Sequence, residues 1–338
     1  MSKNKNQKDK QPLTKKKFSY ELLENSSLSQ SDTCFAISTS FNREKVAVGC
    51  YEKIKMFQFK QGGLKLINTL TSHKSHVNAF QFMKKTNTLF SGGDDNIMII
   101  WSTIQINNGK FIKKIFDHKR EISCLIANKE QDFIVSGSYD SNIKFWRQKN
   151  FWECCQTIKE HRNEINSLSL NQEGNKLISC GQDRFILIME TSQKDNQIQW
   201  VLRQKLYENH QGYRLCFIDD STFVFQPRVG KTMDIYQMND QQNFKKTKSI
   251  AVKGYDQYCN PFFPLQYITS KNLIINKNGY YVNIIKVLEN KKFVNCYSIN
   301  FYFESDGHIY GNLTQDGEYL IIWDSRSSEI QVRKYKEY

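Results

Sequence analysis

Short apolar segments separated by turn-forming residues recur through the middle of this chain, and residues 120–158 show the pattern most clearly. Their β-branched and aromatic side chains suit a pleated, half-buried sheet. The group Tyr139–Asn142 supplies residue types that favour a turn. The stretch therefore predicts a four-stranded antiparallel meander, with strands at Ile122–Ile126, Phe133–Ser138, Ile143–Trp146 and Trp152–Ile158.

The same arrangement repeats around three histidines, His73, His118 and His161, which are separated by 45 and then 43 residues. Each histidine is followed by an apolar residue after four positions, a serine after 18 and an aspartate after 22. A tryptophan stands six positions after the first two aspartates, and Met189 takes that place in the third copy. A period of roughly 40–45 residues is that of one β-propeller blade.

At these positions the sequence resembles the WD40 family. The resemblance implies that the matching His, Ser, Asp and Trp form a buried hydrogen-bonded tetrad in each well-formed blade. Antiparallel strands support this, because they place the loop between blades and the turn between the second and third strands at one end of the ring. Met189 has no indole donor, so we expect its tetrad to be incomplete and its blade softer. The tetrad residues are His73, Ser91, Asp95, Trp101, His118, Ser136, Asp140, Trp146, His161, Ser179 and Asp183.

Weaker copies lie on both sides of this repeat. Glu52 and Phe57 stand at the Asp and Trp positions of a preceding copy, and Tyr236 stands at the Trp position of a following one. The count predicts an all-β fold, a seven-bladed WD40 β-propeller with four-stranded antiparallel blades, whereas merging the two most degenerate copies would give six. The predicted blades of this single domain, residues 18–338, are approximately 33–68, 75–115, 120–158, 163–206, 211–249, 258–297 and 298–338.

The last part of the chain contributes further turn signals. Asn278-Gly279 lies between two apolar segments and is a strong hairpin signal. Further turns are predicted at Asp306-Gly307 and Asp316-Gly317, before the dipeptide Trp323-Asp324.

The ring must also close, because an open sheet edge promotes aggregation. The segments Phe18–Leu23 and Ile330–Tyr335 compete for the closing position, and the sequence does not decide between them.

The net charge of +14 is concentrated near the start of the chain, where residues 1–17 hold seven lysines and one aspartate. This composition predicts a disordered basic tail. The tail is either a solubilising arm or an anchor for RNA, a membrane surface or an acidic protein. No apolar stretch reaches the length of a membrane span, and no secretory signal is visible, so we expect a cytoplasmic protein, with the nucleus as an alternative.

The chain lacks recognisable catalytic motifs, including phosphate-binding loops and the nucleophile and zinc signatures of hydrolases. Its Ser, His and Asp sets repeat with the blade period, which favours a structural role over a catalytic triad. The nine cysteines are odd in number and none is spaced C-x-x-C, which predicts reduced thiols. We therefore expect no enzymatic activity, no metal and no cofactor. The alternative, an enzyme, would need a convergent group of polar side chains in the central channel.

Residues beside the tetrads, rather than within them, are predicted to face outward and bind partner proteins. Tyr and Arg are enriched at interaction hot spots, which singles out Tyr139, Arg120 and Arg162. The chain is then a scaffold, monomeric itself within a larger complex. The candidate partner-binding residues are His76, Asp94, Arg120, Tyr139, Arg162 and Gln182.

Two local resemblances suggest pathways. Residues 151–158 and 177–183 resemble the WD-repeat subunit of the cytosolic iron–sulfur protein assembly targeting complex, which implies docking of client apoproteins without binding a cluster. Residues 323–326 form a W-D-x-R motif similar to that of WD-repeat substrate receptors of cullin-4 ubiquitin ligases, which implies that Arg326 contacts the ligase adaptor. A ribonucleoprotein role through the basic tail is a further alternative. It ranks lower, because the chain shows no interleaved aromatic and basic residues of the kind that RNA-recognition modules use.

Overall fold

The computed structural model describes residues 18–106, 109–194, 197–254, 259–301 and 308–338, which form seven antiparallel sheets. The predicted all-β fold of seven four-stranded blades is confirmed, and the alternative of six blades is wrong. The predicted basic tail and the turn at Asp306-Gly307 lie outside the described residues.

The first four blades follow one another along the chain. Blade one contains β3 (Cys34–Thr39), β4 (Lys45–Cys50), β5 (Lys53–Lys60) and β6 (Gly63–Leu70). Blade two contains β7 (Val77–Met83), β8 (Thr88–Gly93), β9 (Met98–Ser102) and β10 (Phe111–Ile115). Blade three contains β11 (Ile122–Ala127), β12 (Phe133–Ser138), β13 (Ile143–Gln148) and β14 (Trp152–Ile158). Blade four contains β15 (Ile165–Leu170), β16 (Lys176–Gly181), β17 (Phe185–Lys194) and β18 (Gln197–Tyr207).

The remaining blades complete the ring. Blade five contains β19 (Gly212–Asp219), β20 (Thr222–Pro227), β21 (Thr232–Met238) and β22 (Phe244–Ala251). Blade six contains β23 (Gln266–Ile268), β24 (Leu273–Asn278), β25 (Tyr281–Val287) and β26 (Phe293–Asn300). Blade seven contains β27 (Ile309–Leu313), β28 (Tyr319–Asp324), β29 (Glu329–Glu337) and β1 (Phe18–Leu22), and β2 (Leu28–Ser29) also pairs with β29. A short 3-10 helix, Glu24–Ser26, links β1 to β2.

The two ends of the chain meet in blade seven, where β29 is the third strand and β1 is the outer strand. Phe18 pairs with Glu337, and Leu22 pairs with Arg333. The expectation that the two segments compete for one position is wrong. Without β1 the outer edge of β29 would be free, and β1 covers it.

The first strands of all seven blades surround a central cavity of about 740 Å³. Because every blade is an antiparallel meander, the loops between blades and the turns between second and third strands share one end of the ring. We call this end the tetrad face; it carries His73, Asp95 and their equivalents. The turns between first and second strands lie on the opposite face.

Apolar side chains pack mainly between neighbouring blades. Met56 of blade one, for example, belongs to the same buried cluster as Leu89 and Trp101 of blade two. Gly92 allows blade three to approach, because a Cβ there would lie 2.6 Å from the Ile122 side chain. The sequence period therefore produces a core in which each blade depends on its neighbours.

Candidate functional site

Blade two shows how the repeated polar residues are joined. His73 Nδ1 lies 2.9 Å from Asp95 Oδ2, and its Nε2 lies 2.7 Å from Ser91 Oγ. The Trp101 indole donates to Ser91 Oγ at 2.8 Å. The four side chains form one chain of hydrogen bonds from the surface turn into the core. A buried polar network of this kind stabilises only when every member has a partner.

Blade three repeats the arrangement with almost the same distances. His118 lies 2.9 Å from Asp140 and 2.7 Å from Ser136, which accepts the Trp146 indole at 2.8 Å. The backbone N–H of Lys119 also donates to Asp140, at 2.9 Å.

Blade four keeps only part of the tetrad. His161 lies 2.8 Å from Asp183 and 2.7 Å from Ser179. Met189 is fully buried in the same register as the two tryptophans and has no N–H to offer Ser179.

Each tetrad aspartate also shapes the turn that follows it. Oδ1 of Asp140 accepts the N–H of Asn142 at 2.9 Å, and Ser141 between them has a φ of 68°. Few side chains adopt this left-handed region, so the aspartate holds a turn that the chain otherwise disfavours. The same acid thus fixes both the buried histidine and the exposed loop beside it.

The tetrad carboxyls have altered pKa values. Burial raises the pKa of Asp140, but hydrogen bonds from His118 and Lys119 outweigh it, and the net pKa is lowered. The pKa values of Asp95 and Asp183 are lowered for the same reasons. The ionised acids are therefore part of the folded structure.

These shifts predict a defined loss of stability in acid. A carboxyl whose folded pKa is below its unfolded value, about 3.9, stabilises fully above that value and loses the contribution as the pH falls toward the folded pKa. We expect the free energy of unfolding to change little from pH 7 to 5 and to fall steeply below about pH 4. Asp140→Asn should reduce the acid slope by up to about 1.4 kcal/mol per pH unit. Denaturant unfolding of both proteins between pH 2.5 and 7 measures this, and identical slopes would contradict the assignment.

Other blades use different residues in place of the tetrad. Phe57 of blade one is buried in the tryptophan register. In blade five Tyr236 takes that register and donates its hydroxyl to Glu208, in the loop that leads into the blade. In blade six Asn276 donates to Gln226 of blade five at 2.7 Å.

In blade seven the Trp-Asp dipeptide lies on a different strand from the tetrad tryptophans. Trp323 lies on the second strand, β28, whereas Trp101 and Trp146 lie on third strands. Its indole donates to the Gln30 carbonyl at 2.9 Å instead of to a tetrad serine. The dipeptide differs from the repeat position because the third strand of this blade is β29. Arg326 is exposed in the turn after β28, on the tetrad face.

Four side chains from blades three and four form a connected surface on the tetrad face. Arg120 donates to Glu164 at 3.0 Å, and its guanidinium carbon lies 5.9 Å from the centre of the Tyr139 ring. Gln182 also donates to Glu164. Burial raises the pKa of Tyr139, with further contributions from Glu164 and Asp94, so its phenol stays neutral near neutral pH. We call Arg120, Tyr139, Glu164 and Gln182 the blade three–four surface.

A second group lies at the boundary of blades one and two. His76 lies 3.1 Å from Asp94, and it stacks on Phe35 with ring centres 4.5 Å apart. Arg162 joins neither group; its side chain is exposed, and its backbone N–H donates to Asp183. The predicted partner-binding residues thus form two groups and one isolated arginine.

Some contributors to these surfaces were not selected from the sequence. Glu164, three residues after His161, is one of the residues beside the tetrads that are predicted to face outward, but its link between Arg120 and Gln182 was not predicted. Phe35 lies in the degenerate first blade, where no repeat position marked it. Glu208 has no counterpart among the tetrads.

The channel lining is uncharged over the residues that the structure describes. It combines apolar side chains with amides and hydroxyls, such as Asn78, Ser123 and Asn166. Within the described ranges, no group of His, Cys, Asp and Glu has an arrangement suited to a metal ion. In the same ranges, no helix is long and apolar enough to cross a membrane.

The repeats match a known family. The profile described as "WD domain, G-beta repeat" matches residues 64–102, 109–147 and 152–188. The chain carries WD40 repeats. Each matched WD40 repeat starts on the outer strand of one blade and ends on the third strand of the next, so one sequence repeat spans two blades. This offset explains how a linear repeat builds the interblade packing described above.

Three named proteins share part of this WD40 sequence. The chain is 27% identical over 143 residues to "Probable cytosolic iron-sulfur protein assembly protein 1" of Candida glabrata, which covers 38% of this chain and 42% of that protein. It is 28% identical over 145 residues to "p21-activated protein kinase-interacting protein 1-like" of Xenopus laevis, covering 41% and 38%. It is 23% identical over 100 residues to "Pre-mRNA-processing factor 19" of Bos taurus, covering 30% and 19%. The matches therefore span less than half of each relative's length.

Proposed function

We propose that this WD40-repeat chain is a non-catalytic scaffold that docks partner proteins on its tetrad face. The blade three–four surface carries the proposal. In it the half-exposed Arg120 lies against the neutral ring of Tyr139 and is held by an ion pair with Glu164 of the next blade. Arg and Tyr are the residue types most often found at interaction hot spots.

The support beneath this surface favours docking. The tetrads of blades three and four hold the loops that carry Arg120 and Glu164, since Asp140 and Asp183 accept backbone N–H groups there. A surface ordered before binding loses less conformational entropy when a partner arrives. Preorganisation of this kind therefore suits a docking surface.

The channel supports the non-catalytic part of the proposal. Its described lining has no carboxylate, histidine or cationic side chain that could act as a general acid or base. The repeated Ser, His and Asp sets are engaged in structural hydrogen bonds, with serine bound to histidine and indole rather than facing a cleft.

For the pathway, we propose targeting of client proteins in cytosolic iron–sulfur protein assembly, and hence a cytoplasmic location. Two observations support it: the local resemblance of residues 151–158 and 177–183, and the relative whose name refers to this process. The ligase alternative loses part of its basis, because Trp323 does not occupy the repeat position of Trp101 and Trp146.

Replacing Arg120 and Tyr139 together by alanine should weaken partner binding by at least about tenfold, which corresponds to about 1.4 kcal/mol. The change removes the cation and the aromatic ring while leaving the tetrads intact. The measurement is affinity purification with quantitative mass spectrometry, comparing the tagged wild-type chain with the double variant. Iron–sulfur assembly factors and iron–sulfur apoproteins should be the proteins lost.

The matched control is Lys129→Ala, which alters an exposed side chain on the opposite face. It should retain every partner. The wild-type chain, the double variant and the control should have the same melting temperature within a few degrees. Full retention of partners by the double variant would disprove the docking site. Recovery of a ligase adaptor or of RNA instead of iron–sulfur proteins would disprove the pathway but leave the scaffold intact.

A further inference from the structure

A cluster of Arg214, Cys259 and Lys277 on the tetrad face has no role in the proposed scaffold. It lies where residues 259–263, which precede β23, contact Arg214 of β19 and Lys277 of β24. Arg214 and Lys277, both fully buried, contact the same sulfur atom there. The Arg214 guanidinium lies 3.2 Å from Cys259 Sγ, and Lys277 Nζ lies 3.7 Å from it.

The cations are held in place by the fold. The Arg214 Nε donates to the Phe263 carbonyl at 2.7 Å, and another guanidinium nitrogen donates to the Asn260 carbonyl. Lys277 lies on β24, next to Asn276. Burying a cation without an anionic partner is costly, so the arrangement favours negative charge on the sulfur.

The surroundings of Cys259 also suit an incoming polar molecule. Cys259 is only partly buried as a residue. Tyr310 is fully buried, and its hydroxyl has no hydrogen-bond partner among the residues that the structure describes. Burial raises the pKa of Tyr310, and Cys259 raises it further, so the phenol lies within electrostatic range of the sulfur. A bound electrophile would give this unpaired hydroxyl a partner.

We propose that Cys259 is a nucleophilic cysteine, activated by Arg214 and Lys277, and that it is this chain's site of modification by small electrophiles, peroxides included. With an alkyl iodide, the thiolate attacks carbon, an S–C bond forms, and iodide leaves with the electrons of the broken C–I bond. With hydrogen peroxide, the thiolate attacks one oxygen and the O–O bond breaks. The sulfur becomes a sulfenic acid, and the departing hydroxide takes a solvent proton to form water.

The charges around the sulfur agree with this assignment. Burial alone would raise the pKa of Cys259, but Arg214, Lys277 and the backbone N–H of Gly279 outweigh it and lower the pKa to about 7. Among the residues that the structure describes, Tyr213 and Tyr310 also interact electrostatically with Cys259, and both remain neutral near pH 7. Cys155 is an exposed residue, but its thiol is partly covered. This partial burial raises the pKa of Cys155 above the usual value.

The test is iodoacetamide labelling of the folded full-length chain from pH 5.5 to 9.5, with each cysteine quantified by peptide mass spectrometry. The rate at Cys259 should rise with a midpoint near pH 7, and at pH 7 it should exceed the rate at Cys155 about fivefold. A midpoint above about 8.5, or labelling of Cys155 while Cys259 stays unmodified, would overturn the proposal.

A pair of lysine variants separates activation from simple exposure. Lys277→Gln should raise the midpoint at Cys259 by about one pH unit, because one of the two cations is lost. Lys253→Gln alters an exposed lysine in the same loop and should leave the midpoint unchanged. Equal midpoints in both variants would contradict the role of Lys277. If Lys277→Gln does not fold, the comparison of Cys259 with Cys155 in the unaltered chain decides.

Discussion

Replacing Asp140 by alanine should lower the free energy of unfolding by about 2–4 kcal/mol. The His118 side chain is 1% exposed, so its Nδ1–H would be left without a partner in a dry environment. The N–H groups of Lys119 and Asn142 would lose the same acceptor. The turn at Ser141 would also lose the group that holds it, which adds to the cost.

Asp94→Ala provides the comparison, because this aspartate is also at a turn of the tetrad face. Its side chain is 30% exposed and contacts the partly exposed His76 and the amide of Asn78, which lines the central cavity. We expect a cost below about 1 kcal/mol. Denaturant unfolding followed by circular dichroism measures both. Equal effects would show that the buried network does not stabilise the fold in the way its geometry implies.

The second large effect concerns ring closure. A chain that starts at residue 23 lacks β1, so the backbone edge of β29 becomes exposed and the last blade loses its outer strand. It also loses Tyr20, which is 3% exposed and donates its hydroxyl to the Gly317 carbonyl at 2.7 Å. We expect this chain to aggregate or to melt at least about 10 °C lower, since exposed edges pair with other chains.

A chain that starts at residue 18 is the matched control, because it removes residues 1–17 and keeps β1. It should remain monodisperse in size-exclusion chromatography with light scattering. Two point variants refine the test: Tyr20→Ala should cost about 3–5 kcal/mol, and Tyr20→Phe about 1 kcal/mol. Closure by β1 would be refuted if the two truncated chains proved equally stable and equally monomeric.

The sequence predicted the parts of this fold whose determinants recur. Blades two to four could be assigned from the spacing of His73, His118 and His161, because a buried network constrains residue type and distance together. The spacing also placed the tetrad face, and with it the loops that carry Arg120 and Tyr139. That Glu164 connects these side chains depends on rotamers, which spacing does not determine.

The rest depended on long-range contacts. The pairing of Phe18 with Glu337 joins opposite ends of the chain, and neither segment carries a local signal of its partner. The Trp323-Asp324 dipeptide does not by itself reveal which strand of a blade it occupies. In blade six Asn283 forms hydrogen bonds with the backbone of Lys253 and with Ser298. The repeat spacing does not predict this arrangement.

The pairing of Phe18 with Glu337 has a practical meaning for how this protein can be tethered. The third strand of a blade runs from the tetrad face to the opposite face, so β29 ends there and β1 starts there. Both attachment points therefore lie on the side away from Arg120, Tyr139 and Cys259. A fluorescent protein or an immobilisation tag fused before Phe18 or after Tyr338 should leave the tetrad face unobstructed.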